Sequence, residues 1–190
     1  MKTIKSALLT VAAFIAFTVS SAASGLYIEA GTSAVGVELD GVMTESATPT
    51  DDGKNVGQLG ATAVSFTYGA GYMTSRANKF GLDAGYMFTP GDAKINAKSD
   101  DSATSDVTLE IDNSREYYLA PMLNISEDAS LYFKYGWNDA DVSVTGDVSK
   151  PTDLSGNTVA LGTVMSWGSN LYIRTEAGMT DYDSISATGL

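Results

Sequence analysis

The stretch Ala61-Thr-Ala-Val-Ser-Phe-Thr-Tyr-Gly-Ala-Gly-Tyr-Met73 decides how this chain folds. Val64, Phe66, Tyr68, Ala70 and Tyr72 fall on one parity; Ser65, Thr67, Gly69 and Gly71 fall on the other. Successive strand side chains point to opposite faces, so the segment is a strand with one apolar face and one small or polar face. The same alternation recurs near Gly25 to Leu39, Lys79 to Thr89, Ser114 to Ile125, Ser130 to Trp137, Asn157 to Trp167 and Leu171 to Asp183, which predicts seven strands in all. In a soluble sandwich the apolar faces of two sheets meet; in a membrane barrel they face lipid and the polar faces line the lumen.

The segment before these strands reads as a leader. Lys2 and Lys5 form a basic start, Ala7 to Val19 an apolar run, and Ser21-Ala22-Ala23 the small residues of a cleavage site before Ser24, so residues 1–23 are expected to be a signal peptide and 24–190 the folded domain. No later stretch offers about 18 continuous apolar residues, so a membrane-spanning form must be a barrel. Loss of Lys2 and Lys5 shifts the formal charge from −12 to −14. So acidic a surface repels nucleic acid and argues against DNA or RNA as a partner. The absence of cysteine in an exported chain suits an outer-membrane barrel better than a small disulfide-built secreted domain.

The connections separate barrel from sandwich. Asp40 to Gly60, Pro90 to Asn113 and Asn138 to Gly156 are long, acidic and rich in Gly, Ser, Thr and Asp, whereas Thr74 to Asn78, Ser126 to Ala129 and Gly168 to Asn170 are tight. Long and short alternate, as in an outer-membrane barrel with long loops outside and turns in the periplasm; a Greek-key sandwich mixes lengths at both ends. Weak alternation at Lys94 to Ala97, Val107 to Ile111 and Val142 to Val148 predicts hairpins that continue beyond the membrane.

Aromatic residues should gather at both ends of the apolar belt. Tyr72, Phe80, Trp167 and Tyr172 lie beside tight turns, and Phe88, Trp137 and Tyr182 beside long loops, which makes them the expected girdles. The plainer explanation is that strands favour aromatics anyway. Parity gives a sharper expectation, because a register set by the apolar residues fixes where each charge points. It turns Glu29, Asp83, Glu116, Lys134, Arg174 and Glu176 inward, together with Gly69, Gly71, Gly81, Gly85, Gly136, Gly162 and Gly178. An eight-stranded lumen is just wide enough to be filled by side chains, and buried charges are costly unless paired. The six charges are therefore expected to form a salt-bridge network across the lumen; the alternative is that the outermost sit in solvent at the rims.

The opening Gly25-Leu-Tyr-Ile-Glu-Ala-Gly31, the segment Ser130-Leu-Tyr-Phe-Lys-Tyr-Gly-Trp-Asn138 and Asn170-Leu-Tyr-Ile-Arg-Thr-Glu-Ala-Gly-Met-Thr-Asp-Tyr-Asp183 resemble the small outer-membrane β-barrel domain of opacity-type and OmpA-like porin-family proteins. The resemblance implies an all-β, antiparallel, up-and-down transmembrane barrel of the eight-stranded type in a Gram-negative envelope. It identifies architecture better than activity. One departure is plain: members end on an aromatic residue that the insertion machinery reads, whereas this chain ends Ser186-Ala-Thr-Gly-Leu190. Seven strands leave an unpaired edge, so the expectation is a chain lacking its last strand.

Chemistry is sparse. Asp51-Asp52-Gly53, Asp100-Asp101, Asp139 with Asp141, and Asp181 with Asp183 are acidic pairs without EF-hand spacing, and solvated loop tips explain them as well as calcium does. With no histidine, a serine–histidine hydrolase cannot be built, and only a carboxylate-only site stays open. No catalytic residue, metal or cofactor is expected. The expected role is that of a monomeric outer-membrane protein with a structural or interaction function and acidic surface loops, its partners being outer-membrane lipid, lipopolysaccharide and the barrel-assembly machinery. A small passive porin-like channel is the alternative. A soluble periplasmic β-barrel binder comes third, because lipocalin-like barrels carry the reverse facing.

Overall fold

The computed structural model describes residues 3–20, 25–44, 54–91, 93–97, 107–145, 153–168 and 170–188, with side chains over 25–36, 63–91, 110–143, 153–168 and 170–183. Its strands are β1 (Thr3–Ser20), β2 (Gly25–Thr44), β3 (Lys54–Met73), β4 (Phe80–Thr89), β5 (Ala93–Ala97), β6 (Val107–Asn124), β7 (Ala129–Thr145), β8 (Asp153–Trp167) and β9 (Leu171–Thr188). The sheet order is β4-β3-β2-β1-β9-β8-β7-β6-β5, and a further β4–β6 pairing closes it into a ring, with β5 standing off β6 as a loop hairpin. All pairings are antiparallel. The expected all-β, up-and-down barrel is what forms.

The ring differs from the sequence expectation in one place. Seven strands and an open edge were expected, but the seam between β2 and β9 is occupied by β1, the segment read as a leader. Ile4 to Ser20 pair with Met43 to Tyr27 of β2, and the other edge of β1 pairs with Thr188 to Leu171 of β9. An open seam would leave rows of N–H and C=O groups unpaired, which hydrocarbon does not tolerate. Alternation could not have placed this strand, because Ala7 to Val19 is apolar at nearly every position. The cleavage motif at residues 21–24 lies outside the described residues.

The two faces are those of a barrel turned inside out relative to a soluble protein. Leu26 is 77% exposed, Val64 76% and Phe80 71%, while Asp83, Arg174 and Lys134 are 0%, 1% and 2% exposed. Charged side chains are almost never fully buried unless paired, so the interior must answer for them. This facing is the reverse of a lipocalin-like binder.

Strands of 15 to 20 residues exceed the about 9–11 needed to cross a bilayer, so several hairpins continue past it at the long-loop end. The extensions expected at Lys94 to Ala97, Val107 to Ile111 and Val142 to Val148 correspond to β5, the start of β6 and, as far as Thr145, the end of β7, residues 146–148 lying outside the described residues. The β6–β7 ladder slips between Asp112 and Arg115, where Asn113 adopts a φ of 50° and donates from Nδ2 to Asp141 Oδ2 at 3.0 Å. Asparagine takes this left-handed conformation more readily than other non-glycine residues.

The outward face makes its own prediction. Phe133 lies mid-strand on the apolar belt, and Phe133→Arg is expected to lower stability by about 2–4 kcal/mol, the cost of a cation at the bilayer midplane. Asn157→Arg, on the same face but toward the rim, should cost only about 0–1 kcal/mol. Urea unfolding in lipid vesicles measures both, and equal costs would deny that this face meets hydrocarbon.

Candidate functional site

The lumen is built from residues that alternation turns inward, and it is filled in layers. Toward the tight turns, Met73, Ala120, Met122, Val164 and Tyr172 form an apolar plug. Arg76 of the β3–β4 turn closes over it, donating from Nη2 to Ser166 Oγ at 2.8 Å and lying 4.3 Å from the centre of the Tyr172 ring.

Above the plug sits Arg174, the largest side chain buried to this degree. Its guanidinium pairs with Asp83, donates from Nη1 to Tyr118 Oη at 2.9 Å and from Nη2 to Tyr27 Oη at 3.3 Å, and meets Glu29 Oε2 at 3.6 Å as an ion pair without a hydrogen bond. The rings of Tyr132, Tyr118 and Tyr27 surround its Cζ at 5.1, 5.5 and 5.7 Å. Tyr27 Oη also donates to Asp83 Oδ1 at 2.6 Å and touches Tyr118 Oη. A planar guanidinium with five donors can serve several acceptors at once.

The second cation, Lys134, bridges Glu116 Oε2 at 3.0 Å and Glu176 Oε1 at 2.5 Å. Tyr132 Oη donates to the other oxygen of Glu176 at 2.7 Å. The six charges expected in the lumen are thus brought together as two cation-centred clusters, Arg174 with Asp83 and Glu29, and Lys134 with Glu116 and Glu176. Low-dielectric surroundings strengthen such pairs and make any unpaired member costly.

Inward glycines make the space. A Cβ on Gly69 would lie 2.6 Å from Glu29 Oε1, and one on Gly136 would collide with Glu116 Oε1. A Cβ on Gly85 would lie 2.7 Å from Tyr118 Oη, so the tyrosines depend on the same vacancies. Beyond Lys134, toward the long loops, Asn138 Nδ2 donates to Thr158 Oγ1 at 2.6 Å, and Thr158 and Thr180 share a 2.6 Å hydrogen bond. These residues line a cavity of about 130 Å³ whose floor includes Glu116, Lys134 and Glu176.

Tyr27, Tyr118 and Tyr132 were not singled out from the sequence, although parity with Glu29, Glu116 and Lys134 turns each of them inward. The expected girdles divide. Tyr72, Phe80, Trp137 and Trp167 are exposed on the outer face, and Phe88 is half-buried there opposite Tyr68. Tyr172 and Tyr182 stand elsewhere: Tyr172 is 2% exposed in the plug and Tyr182 lines the luminal cavity. Both share parity with Arg174, which overrides their nearness to a turn or loop.

Of the acidic pairs, Asp139 accepts from Ser155 Oγ at 3.0 Å and Asp141 pairs with Arg115 at 3.4 Å. Asp51, Asp52, Asp100 and Asp101 lie outside the described residues. Among the described residues no group of three or more acidic side chains is placed to hold a metal ion. The family model described as outer membrane protein beta-barrel domain matches residues 6–190. No curated protein matches the chain.

Proposed function

The chain belongs to the outer membrane protein beta-barrel domain family, and from that premise we propose that it is a closed, non-enzymatic barrel with a structural and interaction role in the envelope. The observation that carries the reading is the filled lumen: Arg174, 1% exposed, ties β9 to β4 on the opposite side of the ring, and Lys134, 2% exposed, ties β7 to β6 and β9. A lumen packed with paired charges and tyrosines leaves no continuous water path, so the useful surfaces are the apolar belt and the acidic loops. The belt faces outer-membrane lipid, the loops face lipopolysaccharide and whatever lies outside the cell, and the barrel-assembly machinery inserts the monomer.

The passive-pore reading draws on the cavity at the long-loop end, but that cavity is floored by the Lys134 cluster. Planar-bilayer recording separates the two: the purified barrel should give no stable openings, and reproducible single-channel steps would favour the pore. Fractionation with unheated and boiled gels should show a heat-modifiable outer-membrane band, and a soluble periplasmic species would sink the proposal.

Residues 1–23 are proposed to direct export. Their basic, apolar and small-residue order supports this, and Ala7 to Val19 lacks the alternation of the other ring strands. Cleavage before Ser24 would give up the β1 pairings, and the edges of β2 and β9 would then need another strand. N-terminal sequencing of the outer-membrane band tests this directly: a start at Ser24 supports the leader, and a start at Met1 makes β1 a permanent wall.

A further inference from the structure

One lane of the ring is only half bonded at its long-loop end. β3 and β4 pair from Met73 with Asp83 as far as Tyr68 with Phe88, so among the described residues Lys54 to Thr67 of β3 pairs with β2 alone. Across the lane, β6 is taken up by β4 as far as Ser114 and then by β5, which pairs from Ala93 with Ile111 to Ala97 with Val107. β5 lies beside β3 but forms no ladder with it.

The cause is local. Pro90 has no N–H to give and Gly91 takes a φ of 139°, so the chain cannot run through them as a regular strand, and β4 parts from β3 where a longer strand would go on pairing. The edge this leaves on β3 is undefended: Lys54 to Thr67 contains no proline and one charge, at its far end. The luminal cavity of about 130 Å³ borders the same lane, with Ala63, Ser65 and Thr67 of β3 on one side and Ile111 and Ser114 of β6 on the other.

A repeating row of N–H and C=O groups is met in full only by another extended backbone, and a pocket beside such a row selects one of the side chains that backbone carries. We propose that the lane takes up an extended polypeptide segment of basic character in place of β5. The incoming strand runs antiparallel to β3 and β6, pairs with both where β5 pairs with one, and turns an apolar side chain into the cavity between Ala63 and Ile111, against Val35 and Met87. Its basic character follows from the formal charge of −12, which draws cationic segments and repels acidic ones. The proposal deepens the interaction role given above and rests on it.

The test is fluorescence anisotropy of a labelled peptide of about ten residues, alternating lysine and valine, added to the full chain in nanodiscs of zwitterionic lipid, with empty nanodiscs as the blank. Each sample is first checked for the heat-modifiable band, so a failed barrel and a failed lane are told apart. Saturable binding is expected. Glutamate in place of lysine should weaken it by about tenfold or more, as should N-methylation of alternate residues, which removes the donors along one edge of the peptide. Ile95→Cys with Leu109→Cys joins cross-strand partners in a chain that has no other cysteine. Once oxidised it holds β5 on β6 and should abolish binding, and reduction should restore it. Ile95→Pro with Asn96→Pro acts in the opposite sense: one of two neighbouring N–H groups must face β6, so β5 is released and binding should tighten severalfold. No saturable binding, equal binding of the N-methylated peptide, unchanged binding to the verified disulfide form, or unchanged affinity in the double-proline variant overturns the proposal.

Discussion

Arg174→Met is expected to destabilise the barrel by about 3–5 kcal/mol, the usual cost of removing one partner from a buried charged cluster. The substitution keeps most of the side-chain volume, so the loss is chiefly electrostatic. Asp83, 0% exposed, would keep only the hydroxyl of Tyr27, and Glu29 would lose its cation. Arg174→Lys should rescue little, because one ammonium cannot reach Asp83, Glu29, Tyr118 and Tyr27 together as the guanidinium fork does. Asp83→Asn in the Arg174→Met background should recover part of the loss, since it removes the stranded charge. Urea unfolding of the unaltered barrel, Arg174→Met, Arg174→Lys, Asp83→Asn and the double substitution in the same vesicles measures this. Independent, additive effects of the two substitutions would mean that the pair does not act as a unit.

The fold was legible wherever each strand had two unlike faces. Val64, Phe66 and Tyr68 against Ser65, Thr67 and Gly69 fix a register, and slipping it by one residue would turn every one of them over. Loop lengths added the up-and-down order. Thr3–Ser20 was illegible as a ring strand for the same physical reason: a segment apolar at nearly every position has no parity to read, and its composition is equally that of a leader. Its place in the ring comes from pairing with β2 and β9, which is a property of those edges rather than of its own pattern.

The charge network was legible in membership but not in wiring. Parity places Glu29, Asp83, Glu116, Lys134, Arg174 and Glu176 inside, yet it cannot assign Asp83 to Arg174 or Glu176 to Lys134, because strand tilt and stagger decide which inward residues meet across the ring. The girdle expectation takes in Tyr172 and Tyr182 because an aromatic residue next to a turn or loop suggests the lipid interface. For Tyr172 and Tyr182 that nearness conflicts with parity, and the structure follows parity. A tyrosine can satisfy both demands of such an interior, filling volume with its ring and serving a carboxylate or guanidinium with its hydroxyl.

Lys134→Met should cost a comparable amount, about 3–5 kcal/mol, but with a different signature. Lys134 is the cation held between Glu116 and Glu176, so its removal leaves two buried carboxylates facing each other at the floor of the luminal cavity. Repulsion drives them apart, so the long-loop end of the lumen gains a negative lining, while the Arg174 cluster and the plug around Met73 and Met122 keep it closed below. Planar bilayers containing either variant should therefore show no stable openings. Adding Glu176→Gln to Lys134→Met should restore part of the stability, since it removes one of the two stranded carboxylates. If neither Lys134→Met nor Arg174→Met changed the unfolding temperature, the two clusters would be bystanders in a barrel held by its backbone ladder and lipid-facing belt alone.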